Sequence, residues 1–308
     1  MGMTVNQLAL VRSIAENKLQ DAKKYALMCC VEDTTQKNAS YVKRYSNMLQ
    51  NSSATMIEMP FNIKGMAQME DVSDFRIDRY YLSPREEELF NKLKRMNEAG
   101  LRLMEMGIPY LNAVLLTGPS GTGKTTFGRY AAHELGLPFL YINFSYLIDS
   151  LMGGTSKNIR NIFDFARMSK CLLMLDEIDC IAQYRKENGS GTDKELNNTT
   201  VSLLQELDQM RNDSIIIGAT NIPGIIDPAV MRRFTIHHEV QPLPEEEAHK
   251  MTRQYLDSVG IAYDTAEAEA AVHKMYQTDE RVTQAEIQTF MVQKIADMVI
   301  EQKDHITF

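Results

Sequence analysis

Ala113-Val114-Leu115-Leu116-Thr117 runs directly into Gly118-Pro119-Ser120-Gly121-Thr122-Gly123-Lys124-Thr125, and the organisation of the whole chain follows from this junction. The second piece fits GxxxxGK[ST] in full, the first is an apolar strand, and a helical pattern opens at Thr126. Each residue type has a physical reason to be there. Glycines let the backbone wrap so that successive N–H groups point inward at anionic oxygens, and the following helix N-terminus adds positive potential. Lys124 is placed to reach the β- and γ-phosphates of a nucleotide, and the Thr125 hydroxyl is placed to ligate Mg²⁺. The residues expected to line the phosphates are therefore Gly118, Pro119, Ser120, Gly121, Thr122, Gly123, Lys124, Thr125 and Thr126.

Working outward, three further apolar runs look like buried strands: Phe139-Leu140-Tyr141-Ile142-Asn143, Leu172-Leu173-Met174-Leu175 and Ile215-Ile216-Ile217-Gly218-Ala219. Ile236 to Val240 is a weaker fifth strand. Each gap has room for a helix, which predicts an α/β fold with a parallel sheet covered on both faces. Ser83-Pro84-Arg85-Glu86-Glu87-Glu88 starts a helix, with Ser as cap, Pro in the first turn and acids at the positive end of the dipole. That helix is predicted to reach about Glu98, before Gly100. Beyond Leu243-Pro244 no strand signal survives. Residues 244–308 therefore read as a small all-helical lobe, and Glu245 to Phe308 holds 6 basic and 13 acidic residues.

Residues 1–70 differ in character and read as a mostly helical accessory region that binds a partner. Val5, Leu8, Val11 (or Arg12), Ala15, Leu19, Ala22 and Ala26 approximate one long helix of about seven turns. Tyr41 to Leu49 suggests a second helix and Ile57 to Ile63 an extended piece. This leaves residues 71–243 for the α/β part. The insert Tyr184 to Lys194, interrupted by Asn188-Gly189-Ser190-Gly191, reads as a surface loop.

Composition narrows the function classes. The chain has 308 residues, 44% hydrophobic and 24% charged, which excludes wholesale disorder and fibrous classes. A net charge of −8 weighs against a broad grip on nucleic-acid phosphates. No apolar run approaches the ~18 residues of a membrane helix, and no signal-peptide pattern opens the chain. Met1-Gly2 suggests myristoylation only superficially, because Asn6 stands where Ser or Thr is wanted. Cys29, Cys30, Cys171 and Cys180 form neither a disulfide framework nor a zinc spacing, so they read as reduced thiols of a cytoplasmic protein.

Two more clusters carry chemistry. Leu172-Leu173-Met174-Leu175-Asp176-Glu177 ends a buried strand in paired carboxylates, on the sheet edge where ligands gather. Asp176 is expected to hold Mg²⁺ and Glu177 to polarise the attacking water, while Asp179 reads as a local capping or ion-pair residue. Ile215 to Thr220 ends in Asn221, whose amide is suited to the γ-phosphate or the water. Arg232-Arg233-Phe234 follows. Its guanidinium groups suit transition-state charge on a neighbouring subunit's nucleotide, or else simple surface ion pairs.

Together these residues resemble the AAA+ ATPases over roughly Asp71 to Phe308, with the motifs in the family's order. The Arg-Arg-Phe spacing is similar to that of the clade of spastin, katanin and the ESCRT-disassembling ATPase. The resemblance implies a P-loop NTPase fold with a helical lid, ATP and Mg²⁺ as cofactors, and Glu177, Asn221, Arg232 and Arg233 as the hydrolytic set. It also implies a homo-oligomer, a hexameric ring whose arginines act in trans on a protein partner. Gln284-Ala285-Glu286-Ile287 sits where family members carry a Gly-Ala-Asp-Ile-like turn, so Ala285 is expected near the adenine. Leu151-Met152-Gly153 aligns with the pore loop that grips a polypeptide, though the family's aromatic is missing. The function expected is ATP hydrolysis coupled to remodelling, disassembly or unfolding of a protein. The alternatives are a nucleic-acid loader or helicase-like ring, disfavoured by acidity, and an ATP-dependent regulatory scaffold, which would not need Glu177.

Overall fold

The computed structural model describes residues 2–15, 19–33, 35–51, 65–145, 154–183, 191–210, 214–279 and 281–308, together with residues 60 and 63. Its centre is a six-stranded sheet built from β1 (Gln68–Glu70), β2 (Asn112–Thr117), β3 (Phe139–Asn143), β4 (Leu172–Asp176), β5 (Ile215–Thr220) and β6 (Ile236–Glu239). The spatial order is β1-β3-β4-β5-β2-β6. Every pair from β3 to β6 is parallel, as the spacing of the apolar runs predicts.

The strands are apolar throughout because both faces are covered. Successive side chains alternate faces. Ala113, Leu115, Leu140, Leu173, Leu175 and Ile216 enter one core with Ile159, Ile162 and Phe163 of α6 (Thr155–Ser169) and Leu203, Leu204 and Leu207 of α7 (Gly191–Asp208). Val114, Leu116, Phe139, Met174 and Ile217 enter the other core, with Leu89, Phe90 and Leu93 of α4 (Pro84–Glu105) and Phe127 and Ala131 of α5 (Lys124–Glu134). A third core, including Leu256, Val272, Ile287 and Met291, belongs to the C-terminal helices α9 (Glu245–Val259), α10 (Thr265–Thr278) and α11 (Gln284–Ile300). The short α8 (Pro228–Met231) lies between β5 and β6.

Several details differ from the sequence-based expectations. Residues 68–70, assigned above to the accessory region, form β1, which pairs antiparallel with β3 at the sheet edge. A three-residue strand is too short for an alternation signal. The C-terminal lobe is not wholly helical: β7 (Ala262–Tyr263) and β8 (His305–Ile306) make a two-residue parallel ladder across two intervening helices. Helix α4 passes Gly100 and runs to Glu105. Gly100 is buried inside the helix, and the left-handed glycine that follows its end is Gly107 (φ 70°). Ser83 and Glu86 do form the expected start, a reciprocal capping box.

The long first helix is two helices, α1 (Val5–Ala15) and α2 (Leu19–Glu32), packed against each other with Asn6 Nδ2 donating to Glu32 Oε1 at 2.5 Å. Ser13 and Ala22 are buried, whereas Val5, Leu8, Val11 and Ile14 are exposed. The hairpin thus closes on its small residues and turns its larger apolar ones outward. Helix α3 (Ala39–Asn51) covers the predicted Tyr41–Leu49. Of the expected extended piece at 57–63 only residues 60 and 63 are described, and Ile63 is fully buried in a helical turn, its N–H donating to the Pro60 oxygen at 3.1 Å, rather than extended. Most of the Tyr184–Lys194 insert lies outside the described residues, but its residues 191–194 begin α7 instead of continuing a loop. The expected pore loop Leu151-Met152-Gly153 lies outside the described residues. None of the four cysteines is in a disulfide. Among the described residues no helix is long and apolar enough to cross a membrane.

Candidate nucleotide site

Three strand ends converge at the C-terminal edge of the sheet. Strand β2 delivers the glycine loop, β4 delivers Asp176 and Glu177, and β5 delivers Asn221; all line one cavity of about 530 Å³. The loop needs its glycines. A Cβ on Gly118 (φ 139°) would stand 2.0 Å from the Val240 carbonyl oxygen, so no side chain fits there. Gly123 caps α5 in the left-handed region at φ 88°. Thr122 Oγ1 donates to the Pro119 oxygen at 2.9 Å, closing the loop on itself.

Lys124 is buried and donates to the Gly118 and Pro119 carbonyl oxygens at 2.9 and 2.7 Å. Burial pulls its pKa below the ordinary lysine value, opposed by Asp176 and Asp179. The Thr125 hydroxyl donates to Asp176 Oδ2 at 2.7 Å, and the Glu177 N–H donates to Asp176 Oδ1 at 3.0 Å. A hydroxyl and a carboxylate at this separation are hard oxygen donors, which suits a Mg²⁺ that keeps several waters and borrows phosphate oxygens. With the glycine loop and the N-terminus of α5 beside them in one cavity, these residues fit a magnesium-bound triphosphate.

Glu177 sits in the left-handed region at φ 53°, ψ 43°, a conformation costing a non-glycine residue about 1 kcal/mol. Its carboxylate accepts a hydrogen bond from the Ser145 hydroxyl, whose oxygen also lies 3.1 Å from Cys180 Sγ. Asp179 makes local contacts as expected. It accepts from Thr220 Oγ1 at 2.6 Å, and that same oxygen accepts the Ile222 N–H at 3.0 Å, so Asp179 fixes the turn that carries Asn221.

The paired arginines do not line this cavity. Arg233 is held within the chain, by Asp208 at 3.0 and 2.9 Å and by the Ala229 oxygen at 2.9 Å. Arg232 is exposed and has no partner among the described residues. Phe234 is buried against Gly218 and Leu115 and anchors the segment. Ala285 does line the cavity, and its N–H donates to the Gly121 oxygen at 3.0 Å, docking the lobe on the glycine loop. Gln284 turns its amide to the Gln241 oxygen at 3.1 Å.

Several lining residues carry no signal in the sequence. Phe75, Arg76, Arg79 and Tyr80 come from an aperiodic strap ahead of α4, and Met251 and Tyr255 from α9. Gln254 of α9 donates to the Tyr80 oxygen at 2.9 Å and so ties the lobe to this strap.

A parallel sheet with this loop and carboxylate at its edge defines a P-loop NTPase. Residues 114–242 match the family described as "ATPase family associated with various cellular activities (AAA)". It is 34% identical to an uncharacterized AAA family ATPase of Sinorhizobium fredii, over 71% of this chain and 62% of that protein. It is 36% identical to 26S proteasome regulatory subunit 10B homolog A of Arabidopsis thaliana, over 52% of this chain and 41% of that one. Against the proteasome-activating nucleotidase of Methanococcus vannielii the identity is 33%, over 62% and 48%. In each case the chain spans less than two thirds of the relative.

Proposed function

We propose that this protein is a Mg²⁺-dependent ATPase that assembles into a homo-oligomeric ring, a hexamer, and remodels or unfolds a protein partner. The likeness to proteasomal ATPases supports the protein-directed reading over a nucleic-acid one. In this reading Lys124 binds the β- and γ-phosphate oxygens, and Thr125 and Asp176 hold the metal. Mg²⁺, when bound, neutralises charge on those oxygens. Glu177 polarises the attacking water, Asn221 orients it against the γ-phosphate, and the loop with the α5 N-terminus stabilises developing charge. Residues before β1 recruit the partner, Leu151-Met152-Gly153 engages its chain, and the C-terminal lobe moves against the sheet as nucleotide turns over. Such a protein works in the cytoplasm.

One observation carries the assembly: the cavity holds every expected hydrolytic group except the arginines, while Arg232 stands exposed and unpartnered among the described residues. A guanidinium in that state is available to a neighbour's γ-phosphate, with Arg233 braced beside it. Complementation tests this. Arg232→Ala and Glu177→Gln should each lower turnover by at least about 10²-fold. Mixed in equal amounts, about one interface in four combines an intact Glu177 with an intact neighbouring Arg232, so turnover should recover to that share of wild type. A mixture no faster than the sum of its parts rejects shared sites.

A further inference from the structure

The hydrogen bonds around Asp176 include a donor that nothing in the expected site accounts for. Strand β3 runs parallel to β4 with Asn143 opposite Asp176 and Tyr141 opposite Met174. From there the Tyr141 hydroxyl reaches along the edge to Asp176 Oδ2 at 3.3 Å, the same oxygen that takes the Thr125 hydroxyl at 2.7 Å. Asn143 Nδ2 donates to the Tyr141 oxygen at 3.4 Å. That amide takes up an acceptor position on the phenol, so the phenol's own proton is directed at the carboxylate.

The ring is held in place independently of this hydroxyl. It stacks on Phe139 with centroids 6.3 Å apart and 23° between planes. The Arg129 guanidinium lies 5.7 Å from its centroid and 5.4 Å from that of Phe139. Arg129 is itself clamped by Glu70 of β1 at 2.7 and 3.0 Å. Packing alone would accept phenylalanine at this position. The hydroxyl is therefore the part of the residue that the fold does not need.

We propose that Tyr141 is a positioning residue for the metal-holding carboxylate: its hydroxyl fixes the rotation of Asp176 so that the carboxylate and Thr125 together present a preformed Mg²⁺ site. The proposal rests on the ATPase reading and adds a residue to it. A carboxylate whose two oxygens are both engaged, Oδ1 by the Glu177 N–H and Oδ2 by Thr125 and Tyr141, keeps its remaining lone pairs in fixed directions. The Thr125 hydroxyl can turn a lone pair to the metal while still donating to Oδ2. Without Tyr141 it is the only side-chain donor left on that oxygen, and the carboxylate is held less firmly, by Thr125 and the Glu177 N–H alone. Outer partners of this kind tune metal affinity by about 10- to 100-fold.

The test uses the full chain and a fluorescent ADP analogue, titrated with MgCl₂ and separately in EDTA. Tyr141→Phe should leave the analogue's affinity in EDTA at the wild-type value and raise the Mg²⁺ concentration for half-maximal effect about tenfold. A thermal midpoint without ligand near wild type would exclude a folding defect as the cause. A change in Mg²⁺ half-saturation of less than about twofold overturns the role of Tyr141, as does an equal loss of affinity with and without Mg²⁺. Wild-type protein that binds the analogue in neither condition would instead defeat the nucleotide reading itself, so the two failures are distinguishable.

Discussion

Gly218→Ala is the sharpest probe of how the paired arginines are supported. Gly218 lies in the middle of β5, between Leu115 of β2 and Leu175 of β4. A Cβ there would stand 2.8 Å from both Cε1 and Cζ of Phe234 and 3.1 Å from Leu115 Cδ1. Phe234 is 2% exposed within the core that includes Leu115, and it directly follows Arg232-Arg233. Alanine favours the strand by about 0.5–1 kcal/mol over glycine, while overpacking a close-packed core costs about 1–3 kcal/mol. The clash is the larger effect, and the expected net loss is about 1–2 kcal/mol. At about 2–4 °C per kcal/mol the melting midpoint should fall by several degrees. Urea unfolding followed by circular dichroism gives the free energy directly. Neither residue lines the cavity, so nucleotide affinity should stay at wild type while ATP turnover drops as the displaced Phe234 carries the arginines with it. Adding Phe234→Leu should recover part of the loss, a coupling of about 1 kcal/mol in a double-mutant cycle. A Gly218→Ala protein as stable as wild type with full turnover would refute the packing argument.

Two further outcomes follow from named contacts. Asp208→Ala releases Arg233, and because the Asp208 side chain is 54% exposed the stability change should stay within about 1 kcal/mol. Turnover should nevertheless fall severalfold, and a variant with wild-type turnover would remove Asp208 as the brace. His238 is held below its ordinary pKa by burial, with Arg85 adding to the effect and Glu88 and Glu239 opposing it. The unfolded chain therefore takes up this proton first as pH falls, so the contribution is complete above about pH 6.5 and is lost as pH drops below it. His238→Gln should flatten that part of the urea-midpoint profile between about pH 7.5 and about pH 5.5, and parallel profiles for the two proteins would clear His238 of the effect.

The legible parts of the protein were those whose physics is local. Strands β2 to β5 announce themselves because burial on both faces demands unbroken apolar runs, and their observed limits lie within a residue of those expected. Loops and caps built from one chain segment were equally readable, as at Ser83 and Glu86. What failed was whatever depends on a distant partner. The first helix breaks into a hairpin because burying the Ser13 and Ala22 faces outweighs a continuous helical pattern. Strand β1 exists only because β3 offers it an edge, and α4 passes Gly100 because that glycine is packed in the interior.

The same division runs through the candidate site. Residue order alone established that this chain has a phosphate loop, a carboxylate at the end of a strand and an amide at the end of another, because backbone curvature and strand termination are decided within a few residues. Folding decided which of those groups meet, and with whom. It brought Thr125 and Tyr141 onto one oxygen of Asp176, tied Arg233 to Asp208 while leaving Arg232 exposed, and drew the strap from Phe75 to Tyr80 against the cavity. Side chains far apart in sequence interact only through the distances the packed sheet imposes, and no local pattern encodes those distances.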